Sequence, residues 1–91
     1  MKYRIRIVYC PQCNWLLRSA WMAQEILSSF TDSVAEVALV PSKTAGAFEI
    51  LVEDEVIWER KLEGGFPDVK ALKQRVRDAV EPGRDLGHID R

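Results

Sequence analysis

The chain contains two cysteines, Cys10 and Cys13, and both lie in the stretch RIVYCPQCNWLLRSAW. The residues before the pair alternate like a strand, and the residues after it have the period of a helix. A helix N-terminus stabilises a nearby thiolate, which is the reactive form of cysteine. No acidic residue lies between Arg6 and Arg18, so the local field is neutral to positive. This context favours a redox-active pair that exchanges thiols and a disulfide.

Two other roles for the pair are open from the residues alone. A structural zinc site needs four ligands, and the chain offers two thiols and one histidine, His88, so a partner would have to complete the set. Free cysteines are also common as small, inert core residues. The redox interpretation requires neither a metal nor a bound organic cofactor, and we predict that the protein holds neither. His88 lies in a predicted polar tail and is only a secondary candidate for a proton donor or ligand.

Size and charge limit the classes of protein to consider. The 91 residues suffice for a single domain over residues 1–91, with its core at about 1–80 and a tail over 81–91. A formal net charge of −1 with interleaved acids and bases argues against a nucleic-acid-binding protein. No apolar run reaches the length of about 18 residues that spans a bilayer, and no signal-peptide pattern is present. We therefore expect a cytoplasmic protein without membrane or nucleic-acid contacts, and its oligomeric state stays open.

Periodicity predicts six elements in the order β-α-β-β-β-α. The predicted strands cover residues 3–9, 34–40, 48–52 and 56–61, and the predicted helices cover residues 14–30 and 69–80. A right-handed crossover makes the first two strands parallel, and the last two strands form an antiparallel hairpin. The predicted fold class is α/β, with a thioredoxin-like four-stranded mixed sheet and two helices.

The first predicted helix carries an apolar stripe at three- and four-residue spacing, which we expect to face the core. The members of the stripe are Leu16, Ala20, Ala23, Leu27 and Phe30, widened by Leu17, Trp21 and Ile26. Ser19 is expected on the solvated face of the same helix. Trp21 and Trp58 are expected to pack in the core or against the sheet.

Several motifs resemble those of one known family. These are VYCPQCNW, AGAFEI, IWERK followed by GGFPD, and LGHID near the end of the chain. Together they resemble the selenoprotein W/T/H family, also called the Rdx family, in its short bacterial branch that has two cysteines. The resemblance runs over most of the chain and keeps the order of the motifs. It implies a thioredoxin-like fold and a thiol-based oxidoreductase linked to glutathione and antioxidant defence.

The resemblance makes Cys10 and Cys13 the catalytic pair but leaves the attacking thiol open. In thioredoxin-like proteins the N-terminal thiol attacks, which would be Cys10. In selenocysteine-containing relatives, selenium occupies the position that matches Cys13. Both residues are therefore predicted to act, one as nucleophile and the other as resolving thiol.

Five further residues are candidates for substrate or partner binding around the pair. Pro11 and Gln12 form the spacer between the cysteines, and Trp15 follows it, where an aromatic ring could shield the thiols. Pro41 follows the second predicted strand, where thioredoxin-like folds often place a cis-proline that faces the CxxC motif. Phe66, in the GGFPD turn, is a candidate exposed apolar contact for a partner protein.

The sequence thus predicts a thiol–disulfide oxidoreductase that acts on protein or small-molecule thiols and disulfides, with glutathione as a co-substrate. An alternative from another class is a redox-sensing interaction module with little turnover of its own. In that module the same Cys10–Cys13 disulfide would switch a binding surface.

Overall fold

The computed structural model describes residues 2–87 of the chain. Its elements are β1 (Tyr3–Tyr9), α1 (Leu16–Ser29), β2 (Val34–Pro41), β3 (Phe48–Val52), β4 (Glu55–Glu59), α2 (Arg60–Glu63) and α3 (Val69–Val80). The four strands form one sheet in the order β2-β1-β3-β4. Strand β1 pairs in parallel with β2 and antiparallel with β3, and β3 pairs antiparallel with β4. The predicted α/β class with a mixed four-stranded sheet is confirmed.

Strand β1 lies in the interior of the sheet, and its alternation decides which face carries the core. Ile5 and Ile7 are fully buried, whereas Arg4 and Arg6, which alternate with them, are exposed. The buried residues join one hydrophobic cluster with the inward side chains of α1 and α3. The other face of the sheet is charged, and Arg4 and Arg6 form ion pairs there with acidic residues of neighbouring segments. The sheet therefore has helices on one side only.

Helix α1 begins two residues later than predicted, and its buried face shares only Ala23, Ile26 and the following Phe30 with the predicted stripe. Its buried residues are Ser19, Met22, Ala23 and Ile26, followed by Phe30 just after the helix. Leu17 is 83% exposed, and Leu16, Trp21 and Leu27 are between 41 and 47% exposed. The predictions that Leu16, Leu17, Trp21 and Leu27 face the core and that Ser19 faces solvent are therefore wrong. Apolar side chains surround most of this helix, and the row spaced by four residues through Met22, Ile26 and Phe30 is the one that packs on the sheet.

The predicted last strand is too long, because residues 60–63 form the short helix α2 instead. The Glu59 carboxylate accepts a hydrogen bond from the Leu62 N–H at 2.9 Å, which caps the start of α2. Gly64 ends it with a φ of 79°, in the left-handed region that glycine adopts without steric cost. The structure therefore has three helices among residues 2–87 rather than the predicted two.

Helix α3 matches the predicted second helix and closes the core. The Asp68 carboxylate caps it by accepting from the Ala71 N–H at 2.8 Å, and Leu72, Val76 and Val80 are buried. Trp58 is also buried, as predicted. No helix among residues 2–87 is long and apolar enough to cross a membrane. His88 lies outside the described residues.

Candidate redox site

Cys10 and Cys13 are joined by a disulfide at the carboxyl end of β1. Their Cα atoms are 5.4 Å apart, which is typical of a disulfide. The loop that carries them is a turn in which the Asn14 N–H donates to the Pro11 carbonyl at 3.1 Å. Asn14 has a φ of 62°, in the left-handed region that asparagine tolerates better than most residues. The two-residue spacer thus brings the sulfur atoms together within a local turn, as its length predicts.

The two cysteines differ in their access to solvent. Cys10 is 1% exposed and directly follows Tyr9, the buried last residue of β1. Cys13 is half-buried, and the spacer residues Pro11 and Gln12 are exposed. A substrate in solution therefore reaches the sulfur of Cys13 more readily than that of Cys10.

The start of α1 lies farther from the pair than the sequence predicts. The first helical residue is Leu16, three residues after Cys13, and Trp15 occupies the N-cap position without a side-chain hydrogen bond. The first turn contains no acidic residue. Because the field of a helix falls off within about one turn, α1 stabilises a Cys13 thiolate less than it would stabilise one inside its first turn.

Neighbouring strands place two residues beside the end of β1. Tyr9 pairs with Pro41 of β2 on one side and with Phe48 of β3 on the other. The Ser42 N–H donates to the Tyr9 carbonyl at 2.7 Å, so the loop after β2 begins against the residue that precedes Cys10. Pro41 is exposed, and residues 2–87 contain no cis peptide bond, so Pro41 is not a cis-proline. Its role in binding stays a prediction.

Trp15 and Phe66 come together although they are distant in sequence. Their ring centroids are 4.9 Å apart in an edge-to-face arrangement, and Phe66 makes a similar contact at 4.8 Å with Phe48. The guanidinium of Arg18 lies 4.1 Å from the centroid of the Phe66 ring, and that of Arg60 lies 5.0 Å from the centroid of the Trp15 ring. We call the four residues Trp15, Phe66, Arg18 and Arg60 the cationic platform.

The cationic platform modifies two sequence predictions and adds two residues. Phe66 is half-buried among other side chains rather than standing free as an apolar contact. The shielding of the thiols by Trp15 stays a prediction. Arg18 and Arg60 were not predicted, because nothing in the sequence relates residue 60 to residue 15. Only Arg18 could have been inferred from the sequence, because it lies three residues after Trp15 and residues spaced by three lie on one side of a helix.

An apolar groove lies beside the same loop. It has a volume of about 390 Å³ and is lined by Tyr9, Pro11, Asn14, Leu16 and Leu17. The exposed face of α1 extends this groove away from the loop through Trp21. Consecutive helical residues project about 100° apart, so Leu17 points nearly opposite to Trp15. The Leu17 wall of the apolar groove and the Trp15 ring of the cationic platform therefore lie on opposite sides of the start of α1.

Metal-binding side chains do not gather at this site. Among residues 2–87, no group of three or more His, Cys, Asp and Glu side chains is placed to hold an ion. Within that part of the chain, the pair could bind zinc only with ligands from a partner, as the sequence also indicates.

Comparison with known proteins places the chain in a family. The model of the Rdx family matches residues 4–78. The crystal structure of a selenoprotein W-related protein from Vibrio cholerae is 56% identical with a TM-score of 0.84, covering 89% of this chain and 100% of that one. A Bordetella parapertussis protein is 55% identical with a TM-score of 0.84, covering 88% of this chain and 100% of that one. No curated protein matches. Because the family model matches most of the chain, this chain belongs to the Rdx family, and its Cys10–Cys13 pair supports a redox-related role.

Proposed function

We propose that the protein is a thiol–disulfide oxidoreductase in which Cys10 and Cys13 form the catalytic pair. The observation that carries the proposal is the disulfide after β1 between a buried residue, Cys10, and a half-buried one, Cys13. An exchange catalyst needs one accessible thiol to meet the substrate and a second thiol close enough to displace it. Membership of the Rdx family supports the same chemistry.

Cys13 is the nucleophile in this proposal, because its side chain is the more exposed of the two. The Cys13 thiolate attacks one sulfur of a substrate disulfide. A bond forms between Cys13 and that sulfur, and the other half of the substrate leaves as a thiolate that takes up a proton. The product is a mixed disulfide between the protein and one half of the substrate.

Cys10 resolves the mixed disulfide from its buried position. Its thiolate attacks the sulfur of Cys13, the Cys10–Cys13 bond forms, and the second half of the substrate leaves as a thiol. Two electrons have then passed to the substrate, and the protein is oxidised. Two molecules of glutathione, or one molecule of a dithiol reductant, return the pair to the dithiol form and leave as a disulfide. A reducing compartment such as the cytoplasm would supply that reductant, so we place the protein there as part of the proposal.

Single cysteine variants test the order of attack. Cys10→Ser keeps the nucleophile but loses the resolving thiol, so it should accumulate a mixed disulfide with a model substrate while turnover falls to background. Cys13→Ser should accumulate far less, because its remaining thiol is buried. Mass spectrometry under non-reducing conditions measures both. If only Cys13→Ser accumulated a mixed disulfide, Cys10 would be the nucleophile. If both variants turned over substrate, the two-cysteine mechanism would be excluded.

The exposed apolar face of α1 favours a second candidate function, a redox-sensing interaction module. Leu17 is 83% exposed beside the redox loop, which is more typical of a contact surface than of a solvated helix. In this case the wild-type protein would not turn over disulfide substrates, and the affinity for a partner would differ between the oxidised and reduced forms. A turnover assay of the wild-type protein therefore separates the two functions.

A further inference from the structure

We propose that Arg18 and Arg60 form a carboxylate-binding rim, so that the preferred substrate is a polypeptide segment whose cysteine is flanked by acidic residues. This inference rests on the proposed oxidoreductase function and specifies its substrate class. The rim binds the segment next to the sulfur that Cys13 attacks. It takes no part in the transfer of electrons.

The arginines of the described chain divide into two groups. Seven arginines lie among residues 2–87. Five of them form ion pairs with a carboxylate, namely Arg4, Arg6, Arg75, Arg77 and Arg84. Arg18 and Arg60 have no such ion pair within residues 2–87, and both belong to the cationic platform beside the redox loop. The two arginines without a carboxylate partner are thus the two that stack on the rings of the cationic platform.

Nearby acidic side chains are already engaged elsewhere. The Glu59 carboxylate accepts from the Leu62 N–H, and the Asp68 carboxylate accepts from the Ala71 N–H. The Glu63 carboxylate receives two hydrogen bonds from Arg75, at 2.8 and 2.9 Å. Each of these carboxylates caps a helix or pairs with Arg75, and none of them forms an ion pair with Arg18 or Arg60.

Stacking leaves the hydrogen-bonding edges of the two guanidinium groups usable. A guanidinium that lies on an aromatic ring contacts it with its flat face, while its N–H groups point outward in the plane. Arg60 donates from Nη2 to the Gly46 carbonyl at 3.3 Å, and its Nε is buried, so Nη1 and the second N–H of Nη2 are the donors left for a ligand. Arg18 is exposed and makes no hydrogen bond within that part of the chain. Both groups retain donors for a carboxylate.

Charge is distributed unevenly along the chain in a way that supports an anionic partner. The sequence has 14 acidic residues, yet none lies in 1–24 or in 37–48. These two segments supply the redox loop, the start of α1 and the loop that begins against Tyr9. Although the protein has a net charge of −1, the segments that carry and flank its cysteines contribute no acidic side chain to this face. Such a face attracts negatively charged partners and repels cationic ones.

Distances along the chain fit an extended peptide. Trp15 is two residues from Cys13, so their Cα atoms lie within about 7 Å of each other. An extended peptide advances about 3.3 Å per residue. Acidic side chains one to three residues from the substrate cysteine would therefore meet the platform. The apolar groove on the other side of the start of α1 would receive an apolar side chain of the same segment.

Three matched peptides test the inference. Each carries one cysteine joined to a chromogenic aromatic thiol, with two Glu, two Gln or two Lys residues placed two and three positions from the cysteine. The second-order rate constant for release of the chromogen by the reduced protein is measured for each peptide. It is divided by the rate constant at which a simple dithiol reacts with the same peptide, which removes differences in intrinsic reactivity. We expect the Glu peptide to react about three- to ten-fold faster than the Gln peptide, and the Lys peptide slowest.

Variants of Arg18 and Arg60 test whether the carboxylate-binding rim causes the preference for the Glu peptide. In Arg18→Gln/Arg60→Gln the ratio of Glu to Gln rates should fall towards one, whereas Arg18→Lys/Arg60→Lys, which keeps both charges, should retain part of it. Lys2→Gln is the control for loss of a positive charge away from the rim: it removes one charge, against two in the double variant, and lies before the opposite end of β1. It should leave the ratio unchanged.

Each outcome decides one of the two proposals. A ratio near one in the wild-type protein, with all peptides reacting, would overturn the acidic-substrate inference and leave the oxidoreductase function intact. If no peptide reacts, the oxidoreductase function fails. The carboxylate-binding rim is then tested separately, by calorimetric measurement of the affinity for a Glu peptide that has Ser in place of Cys. Weaker binding to the double Gln variant than to Lys2→Gln would then support the carboxylate site, and equal or absent binding would exclude it.

Discussion

The conformation of the disulfide loop depends on a residue outside the cysteine pair, Asn14. Its φ of 62° turns the chain after Cys13, and its N–H donates to the Pro11 carbonyl at 3.1 Å. This turn keeps Cys13 out of α1 and leaves its side chain partly accessible, while Cys10 stays buried directly after β1. The difference in exposure that assigns Cys13 as the nucleophile thus arises from one left-handed residue.

Substitution of Asn14 measures how much this turn contributes to stability. Asn14→Gly should change the free energy of unfolding by less than about 0.5 kcal/mol, because glycine adopts the left-handed region freely. Asn14→Val should lower it by about 1–2 kcal/mol, because a β-branched side chain clashes there. Denaturant unfolding of the oxidised protein measures both. The control is Gln12→Val, in the exposed spacer. The prediction is wrong if the two valine variants are equally stable.

At the scale of the elements, helix α1 shows what periodicity can determine. The period of apolar residues correctly predicts a helix, because it depends on local spacing alone. It does not identify the buried face, since apolar residues such as Leu17 and Trp21 continue around to the solvent side. Only the packing of Met22, Ile26 and Phe30 against the sheet decides which side faces inward.

The same distinction applies to the candidate redox site: local features could be predicted from the sequence, and tertiary contacts could not. The Cys10–Cys13 pair could be predicted because its two members are close in sequence and one turn brings them together. The contact of Arg60 with Trp15 could not be predicted, because it depends on where α2 begins. Helix α2 begins after the Glu59 cap. The cap could not be identified from the sequence, because the strand pattern continues through residue 61.

Ser19 provides a test of the buried face of α1. It is fully buried, and its Oγ has no hydrogen-bond partner within the described residues. Burying an unpaired hydroxyl is costly, and alanine also favours a helix more than serine does. Ser19→Ala should therefore raise the free energy of unfolding by about 1 kcal/mol.

Ser28→Ala is the matched control on the same helix. Ser28 is exposed, and its Oγ donates to the Glu25 carbonyl at 3.2 Å. Its replacement should change stability by less than about 0.5 kcal/mol, because only the helix propensity and a solvated hydrogen bond are altered. Equal effects of the two substitutions in urea unfolding would show that the Ser19 hydroxyl is satisfied in solution.

At the scale of the whole molecule, Arg75 joins the β4 edge of the sheet to two helices. Its Nη1 donates to the Ile57 carbonyl of β4 at 2.7 Å, and its two terminal nitrogens both bind the carboxylate of Glu63 in α2. The guanidinium also lies 4.8 Å from the centroid of the Trp58 ring. Trp58 in turn donates from Nε1 to the Gly65 carbonyl at 3.0 Å, next to Phe66. The α3 residue Arg75 therefore helps to hold the turn that supplies Phe66 to the cationic platform.

This connection should make stability depend on pH through Glu63. The hydrogen bonds from Arg75 lower the pKa of the Glu63 carboxyl, burial opposes them, and the charge of Arg75 adds to the lowering. A carboxyl whose pKa is lower in the folded protein stabilises the fold above the ordinary pKa of glutamate. That contribution is lost as the pH falls through the folded pKa. Glu63→Gln should therefore be modestly less stable than the wild type at pH 7, and the difference should shrink to zero in acid.

Thermal unfolding from pH 7 down into the acidic range measures this difference. The control is Glu55→Gln, which removes an exposed β4 carboxylate without an ion pair among residues 2–87. It should show a smaller difference at pH 7. A Glu63→Gln deficit that persists unchanged in acid would mean that the hydrogen bonds to Arg75, rather than the charge of Glu63, hold α2 against α3.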